Sequence, residues 1–158
     1  MSTADPRRFA RRFAAILFAV SFAVNWVWEM SQMSAYAPMP GHTWKEVTLF
    51  CTAASVGDAV LTLLIVGAGA LVARRRSWVA AFGWKAYAGA AFLGGVSAVV
   101  IEWAAVGSGY WSYAGAMPRV PLLEVGLWPF AQLALLVPFS LWAAGRLVDR
   151  FTGSGSHV

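Results

Sequence analysis

The sequence predicts an all-α fold, a four-helix transmembrane bundle, and three observations lead there. The chain has 158 residues, of which 59% are hydrophobic and only 12% charged, with a mean hydropathy of +0.63, outside the range of ordinary soluble domains. Its apolar residues gather into four runs, each near the ~20 residues that cross a bilayer as a helix. Its basic residues stand in short blocks at the ends of those runs. The net charge of +5 and pI near 10.0 are therefore topology signals, and nucleic acid is not an expected partner.

The first helix is expected over 13–32, behind Arg7, Arg8, Arg11 and Arg12. An arginine-rich start, an apolar run and Ala35-Tyr36-Ala37 have the outline of a secretory signal. Pro38 follows directly, however, and the run carries Asn25 and Glu29, so a retained helix is expected. The second helix is expected over 48–73, stopping at Arg74-Arg75-Arg76, the third over 85–106, and the fourth over 122–147, near Arg146 and Arg150. Arginine and lysine concentrate at the N-terminus, between Arg74 and Lys85, and at the C-terminus, while the other two loops hold only Lys45 and Arg119. The positive-inside rule then puts both termini in the cytoplasm and loops 33–47 and 107–121 outside, in a multi-pass protein of a bacterial cytoplasmic (inner) membrane. Residues 1–150 form one transmembrane domain with no internal repeat, and 151–158 read as a disordered tail. Ala90, Ala91, Gly94, Gly95 and Ala98 permit close helix approach, either within the bundle or at a homodimer seam. Pro129 and Pro138 should kink or loosen the fourth helix.

Polar residues inside apolar helices are the functional signal. Asn25 and Glu29 lie four residues apart and share a helix face, with Ser21 above and Gln32 below. On the expected topology Glu29 lies about 5 Å and Asn25 about 10 Å inside the outer end of the first helix, and Asp58 about 15 Å deep, near the midplane. Glu102 ends the third helix at a depth like that of Glu29. Glu124 opens the fourth on the outer side, and Gln132 lies two turns deeper. Every membrane-embedded carboxylate thus falls in the outer half.

Aromatic residues crowd the same half. Of nine tryptophans, Trp26, Trp28, Trp44, Trp103, Trp111 and Trp128 map there, with Tyr36, Tyr110 and Tyr113. One reading is an interfacial aromatic belt. The other uses the ring faces to stabilise a cation where water is excluded. A carboxylic acid kept protonated by apolar surroundings beside such rings is suited to making and guiding a carbocation. Residues 109–121 are aromatic and stiffened by Pro118 and Pro121. They read as a lid, with Arg119 available to an acidic headgroup, a phosphate or Glu102.

Trp28-Glu29 with Gln32, Gly57-Asp58, Glu102-Trp103, Trp111, Tyr113, Met117-Pro118 and Pro129 with Gln132 resemble a family of small bacterial four-span membrane proteins that carries no assigned activity. Asn25, Trp28 and Glu29 resemble the Asn-x-x-Trp-Glu motif of the integral-membrane terpene cyclases of fungal meroterpenoid and indole-diterpene pathways. There the glutamate, with an aspartate on another helix, is implicated in protonating an isoprenoid epoxide. Those cyclases are longer and have more spans, and no motif carries their aspartate onto Asp58, so the resemblance assigns a role to Glu29 alone. Glu102 followed by Gly109, Tyr110 and Tyr113 is also similar to a segment of membrane carotenoid cyclases and hydratases, although the paired carboxylates of the lycopene cyclases are absent.

The functional expectation is an enzyme that performs acid-initiated cyclisation or isomerisation of a lipophilic isoprenoid-like substrate. Asp58 or Glu29 is the candidate general acid, and Glu102 receives or relays the proton. Asn25 and Gln32 orient the acid, while Trp28, Trp103, Tyr110, Trp111, Tyr113, Arg119, Trp128 and Gln132 shape the substrate site. The expected partners are that small molecule, membrane lipid and a second copy of the chain as a homodimer. One cysteine, Cys51, excludes an internal disulfide and an iron–sulfur cluster, and His42 and His157 are too few and too badly placed for an intramembrane bis-histidine haem. No cofactor and no metal are expected. The rival is a small proton-coupled transporter of a cationic or lipophilic solute, in which Glu29 and Asp58 exchange a proton. A third reading is an accessory subunit without chemistry, in which both acids are dispensable.

Overall fold

The computed structural model describes residues 6–37, 43–72 and 83–153. His42, Arg74 to Arg76 and residues 154–158 of the expected tail lie outside them. The described residues form four helices, α1 (Pro6–Gln32), α2 (Trp44–Val72), α3 (Trp84–Gly107) and α4 (Leu127–Gly153), each long and apolar enough to cross a membrane. No strand occurs among them, and a short 3₁₀ turn, Met33–Ala35, follows α1.

Local chemistry explains where the helix ends depart from expectation. α1 takes in the arginine block, since nothing between Pro6 and Phe13 breaks a helix. α2 starts at Trp44 rather than at residue 48 because Thr43 and Glu46 form a capping box. The Glu46 amide donates to Thr43 Oγ1 at 3.4 Å, and the Thr43 amide donates to Glu46 Oε2 at 2.7 Å, pairing two N–H groups that a helix start leaves bare. α3 closes on Gly109, at φ +72°. Tyr110 N donates to Ala105 O (2.8 Å) and Gly109 N to Val106 O (3.1 Å), the bond pattern of a Schellman cap that needs a left-handed residue.

The fourth helix is the largest correction, because residues 122–126 are loop and Glu124 does not open the helix. Leu122 and Glu124 take positive φ, and Val120 N donates to Val125 O while Leu127 N donates to Pro118 O. Pro129 is then the third residue of α4, in the first turn, where its missing N–H breaks no helical bond. It marks the start of α4 and introduces no kink, whereas Pro138 lies inside the helix. The helix also runs on to Gly153, so residues 151–153 of the expected tail are helical.

The helices pack as an open row, α2 against α1, α1 against α4 and α4 against α3, while α2 and α3 scarcely meet. Between membrane helices there is little hydrophobic driving force, so close approach of small residues and interhelical hydrogen bonds hold the bundle. The small-residue face of α3 is used inside it: a Cβ on Gly94 would collide with the Leu133 carbonyl oxygen, and one on Gly95 would lie 3.2 Å from the Phe130 ring. An apolar core with Phe13, Leu17, Val66, Val137, Leu141 and Val148 fills the half of the bundle remote from Tyr36. At the Tyr36 end the polar groups and the aromatic loops assemble.

Candidate functional site

Gln132, one turn and a half into α4, is the hub of a buried polar network. Its Nε2 donates towards Asn25 Oδ1 (3.0 Å) and Glu29 Oε1 (2.9 Å) on α1 and Asp58 Oδ2 (2.9 Å) on α2. Three helices therefore meet on one nitrogen. Donor-only groups fix the orientation. The Trp28 indole N–H donates to Gln32 Oε1 (3.0 Å), so Gln32 turns its Nε2 to Gln132 Oε1 (2.9 Å), and the Gln132 amino group faces the carboxyls. Asn25 is set likewise, for its Nδ2 donates to the Ser21 carbonyl at 2.8 Å and leaves Oδ1 for Gln132. Below it Ser21 Oγ donates to Thr62 Oγ1 (3.0 Å), and Trp26 Nε1 donates to Thr52 Oγ1 (3.1 Å), binding α1 to α2.

An amide nitrogen carries two hydrogens and here faces three acceptors. At most two of the three are paired at one time, so Asn25 and the two acids share the Gln132 amino group. The bonded oxygens of Glu29 and Asp58, each 2.9 Å from that nitrogen, are no further apart than twice this distance. The two acids are thus a pair whose protons are coupled.

These acids face a cavity of about 470 Å³ bounded by all four helices and both aromatic segments, within the range of small-molecule sites. Glu29, Asp58, Glu102 and Gln132 are its polar wall. The remainder is apolar, with Met33, Phe50, Ala54, Leu61, Ile101 and Leu133, and with Tyr36, Tyr110 and Trp111 at the aromatic end.

Glu102 is buried and sits in a second cluster. Its Oε2 accepts from Trp111 Nε1 at 3.3 Å and from the Tyr113 hydroxyl, while Oε1 has no partner among the described residues. The Tyr113 hydroxyl in turn accepts from the Gly126 amide at 2.9 Å, so Glu102 ties the α3–α4 loop to the start of α4. Gly126 has no room for a side chain, since a Cβ would lie about 3.0–3.1 Å from Tyr113, Met117 and Pro129. Burial and the bond to Glu102 push the Tyr113 phenol up to about 12. Tyr36 is held above the ordinary tyrosine value by burial and then by the nearby acidic Glu102 and Glu29. Both phenols stay neutral donors at physiological pH.

A backbone bridge joins the two loops. Ala37 N donates to Ser112 O (2.9 Å) and Ala114 N to Ala35 O (3.0 Å), pairing Tyr36 with Tyr113. Rings stack across it, Tyr36 on Trp111 at 6.3 Å and Phe50 on Tyr110 at 5.8 Å between centroids. Residues 109–121, expected as a lid, contribute Tyr110 and Trp111 to the cavity wall.

Of the residues singled out from sequence, Glu29, Asp58, Glu102, Gln132, Tyr110 and Trp111 line the cavity. Asn25, Trp28, Gln32 and Tyr113 stand behind it as hydrogen-bond partners of those that do. Trp103, Arg119 and Trp128 are not brought to it. Trp103 is largely exposed and donates to the Leu123 carbonyl at 2.8 Å, and Trp128 is 42% exposed, both fitting an interfacial belt. Arg119 does not meet Glu102, as it pairs with Glu124 at 3.3 Å on the surface and lies over the Tyr113 ring. Tyr36, Phe50, Gly57 and Ile101 line the cavity without having been chosen, and for Phe50 the spacing of about two turns from Asp58 was the available signal. Among the described residues no three acidic, histidine or cysteine side chains lie close enough to hold a metal ion. No protein-family model, no curated protein and no solved structure matches this chain.

Proposed function

We propose that this chain is an integral-membrane enzyme that cyclises or isomerises a lipophilic isoprenoid-like molecule by acid initiation. The observation that carries the reading is the pairing of Glu29 and Asp58 on one oriented amide at the wall of an apolar, aromatic-roofed cavity. Two carboxyls with one proton between them supply an acid in surroundings that disfavour hydration. The proton passes from that pair to a carbon–carbon double bond or an epoxide oxygen of the substrate. The ring faces of Tyr36, Phe50, Tyr110 and Trp111 stabilise the resulting cation. A C–H proton then leaves to a carboxylate, for which Glu102 Oε1 is the unpaired candidate, and the product has the mass of the substrate. The resemblance of Asn25, Trp28 and Glu29 to the membrane terpene cyclases supports the same chemistry, since two residues of that motif meet at Gln132. The block of arginines in the first turns of α1 supports cytoplasmic termini in a bacterial inner membrane.

Proton-coupled transport needs a polar route through the rest of the bundle. On the side of the acids remote from Tyr36, the buried polar groups among the described residues are Ser21, Thr62 and Ser140, set among the apolar core, which favours a one-sided site. The test is mass-spectrometric profiling of lipid extracts from cells carrying wild type or Glu29→Gln, with chromatography that separates isomers. A lipid that changes retention and keeps its mass only with wild type supports the proposal, and matching extracts reject it.

A further inference from the structure

Taking the cavity as a substrate site, we infer that its entrance is the gap between α2 and α3, and that a single-chain neutral lipid enters there sideways from the bilayer. Among the described residues the other routes are packed. At the Tyr36 end the loops are joined by two backbone hydrogen bonds and a layer of rings, with Phe50 on Tyr110 reaching from α2 to the loop that follows α3. At the far end the apolar core begins with Leu133, itself part of the cavity wall. α1 packs along both α2 and α4, and α4 along α3, so those seams are sealed. Around the cavity, α2 and α3 are the neighbouring pair that meets least.

The edges of that gap are built for passage of an apolar chain. Ala53 and Gly57 on α2 and Ile101 on α3 are exposed and line the cavity. A Cβ at Gly57 would meet no atom within 4 Å, so close helix packing does not explain the glycine there, whereas it does at Gly94. Outside the gap the neighbouring positions Val56, Val60 and Val100 are exposed and apolar, as a lipid-facing surface requires. The polar wall lies behind the gap, on α1 and α4 and at Asp58. An entering chain therefore meets apolar edges first and the acids last. A neutral lipid fits this order, because a charged headgroup would have to cross the apolar rim.

The probe is a neutral isoprenoid alcohol carrying a diazirine, dissolved in phospholipid nanodiscs that hold the full chain, with crosslinks mapped by mass spectrometry. Wild type is expected to label on cavity segments of α3 and α4, around Ile101 and Leu133. Gly57→Trp fills the gap from α2 and should abolish that labelling, as should Ile101→Trp from α3, so one misfolded variant does not decide the matter. Val27→Trp, on an exposed apolar face of α1 that does not line the cavity, should label as wild type does. Unchanged cavity labelling in folded Gly57→Trp and Ile101→Trp overturns the inference. So does rapid reaction of Ala54→Cys, in a Cys51→Ser background, with a membrane-impermeant thiol reagent, which would mean an entrance from water. Labelling reads occupancy without turnover, so a labelled cavity with no product rejects the proposed chemistry and leaves the entrance standing.

Discussion

Replacing Gln132 with leucine keeps most of the side-chain volume and removes the hub of the polar network. At most three hydrogen bonds go at once, two donated among Asn25, Glu29 and Asp58 and one accepted from Gln32. Interhelical side-chain bonds within membranes average about 0.6 kcal/mol, so their direct loss comes to about 2 kcal/mol. The larger effect is on the groups left behind. Gln32 Nε2 and Asn25 Oδ1 are buried in the wild-type protein, and each polar group stranded in this way costs about 1–3 kcal/mol. A total destabilisation of about 4–8 kcal/mol is expected, read by detergent-titrated unfolding in mixed micelles under tryptophan fluorescence. Product formation should fall by about 10²–10⁴, the scale of a misplaced general acid. Ser140→Ala is the matched control. The Ser140 hydroxyl is buried in the same helix with no hydrogen-bond partner, so its removal should leave stability unchanged or raise it. A Gln132→Leu protein as stable and as active as wild type would refute the assignment of Gln132 as the organising residue.

Gly94→Ala should destabilise the bundle by about 1–3 kcal/mol, because the new methyl group meets the Leu133 carbonyl and overpacks a seam between α3 and α4 that has no slack. Gly57→Ala, in open space, should unfold at the wild-type detergent concentration. Tyr113→Phe removes the hydroxyl shared by Glu102 and the Gly126 amide, and should cost about 1–2 kcal/mol and expose the loop after α3 to limited proteolysis. The same residue predicts a pH dependence. The phenol's value is raised from 10.0 to about 12 in the folded chain, so its contribution to stability is complete below pH 10 and is lost as pH rises from there through about 12. Unfolding titrations across that window should fall less steeply for Tyr113→Phe than for wild type.

Four membrane helices were legible because length and hydropathy alone specify them. The ends were less so where apolar composition hides a loop. Leu122, Leu123 and Val125 look like helix, yet two positive-φ residues and the Val120–Val125 bond turn the chain there, and the clue was Pro129, which belongs in a first helical turn. That Asn25, Glu29, Asp58 and Gln132 share the outer half was legible from helical spacing, but the expected depths of about 5 Å for Glu29 and about 15 Å for Asp58 set the two acids on different levels, whereas both meet Gln132. Which residue sits at the centre was not legible, because a hub is set by the rotation of each helix about its axis. The same rotation separates Trp111, in the cavity, from Trp103 and Trp128, on the surface, although all three share a depth. The missing α2–α3 contact was invisible for a further reason: helices adjacent in sequence usually pack together, and here that pairing is replaced by α1 against α4.

The central claim is that Glu29 and Asp58 act as one proton-bearing unit, and a double-mutant cycle on product formation tests it most directly. The yield of the wild-type-dependent lipid isomer is measured for wild type, Glu29→Gln, Asp58→Asn and the double variant under matched expression. Each single change is expected to lower the yield by about 10² or more, and the double variant should lose no more than the weaker single, because residues acting as a unit are not additive. Effects that multiply, or a single variant that keeps the wild-type yield, would contradict the account.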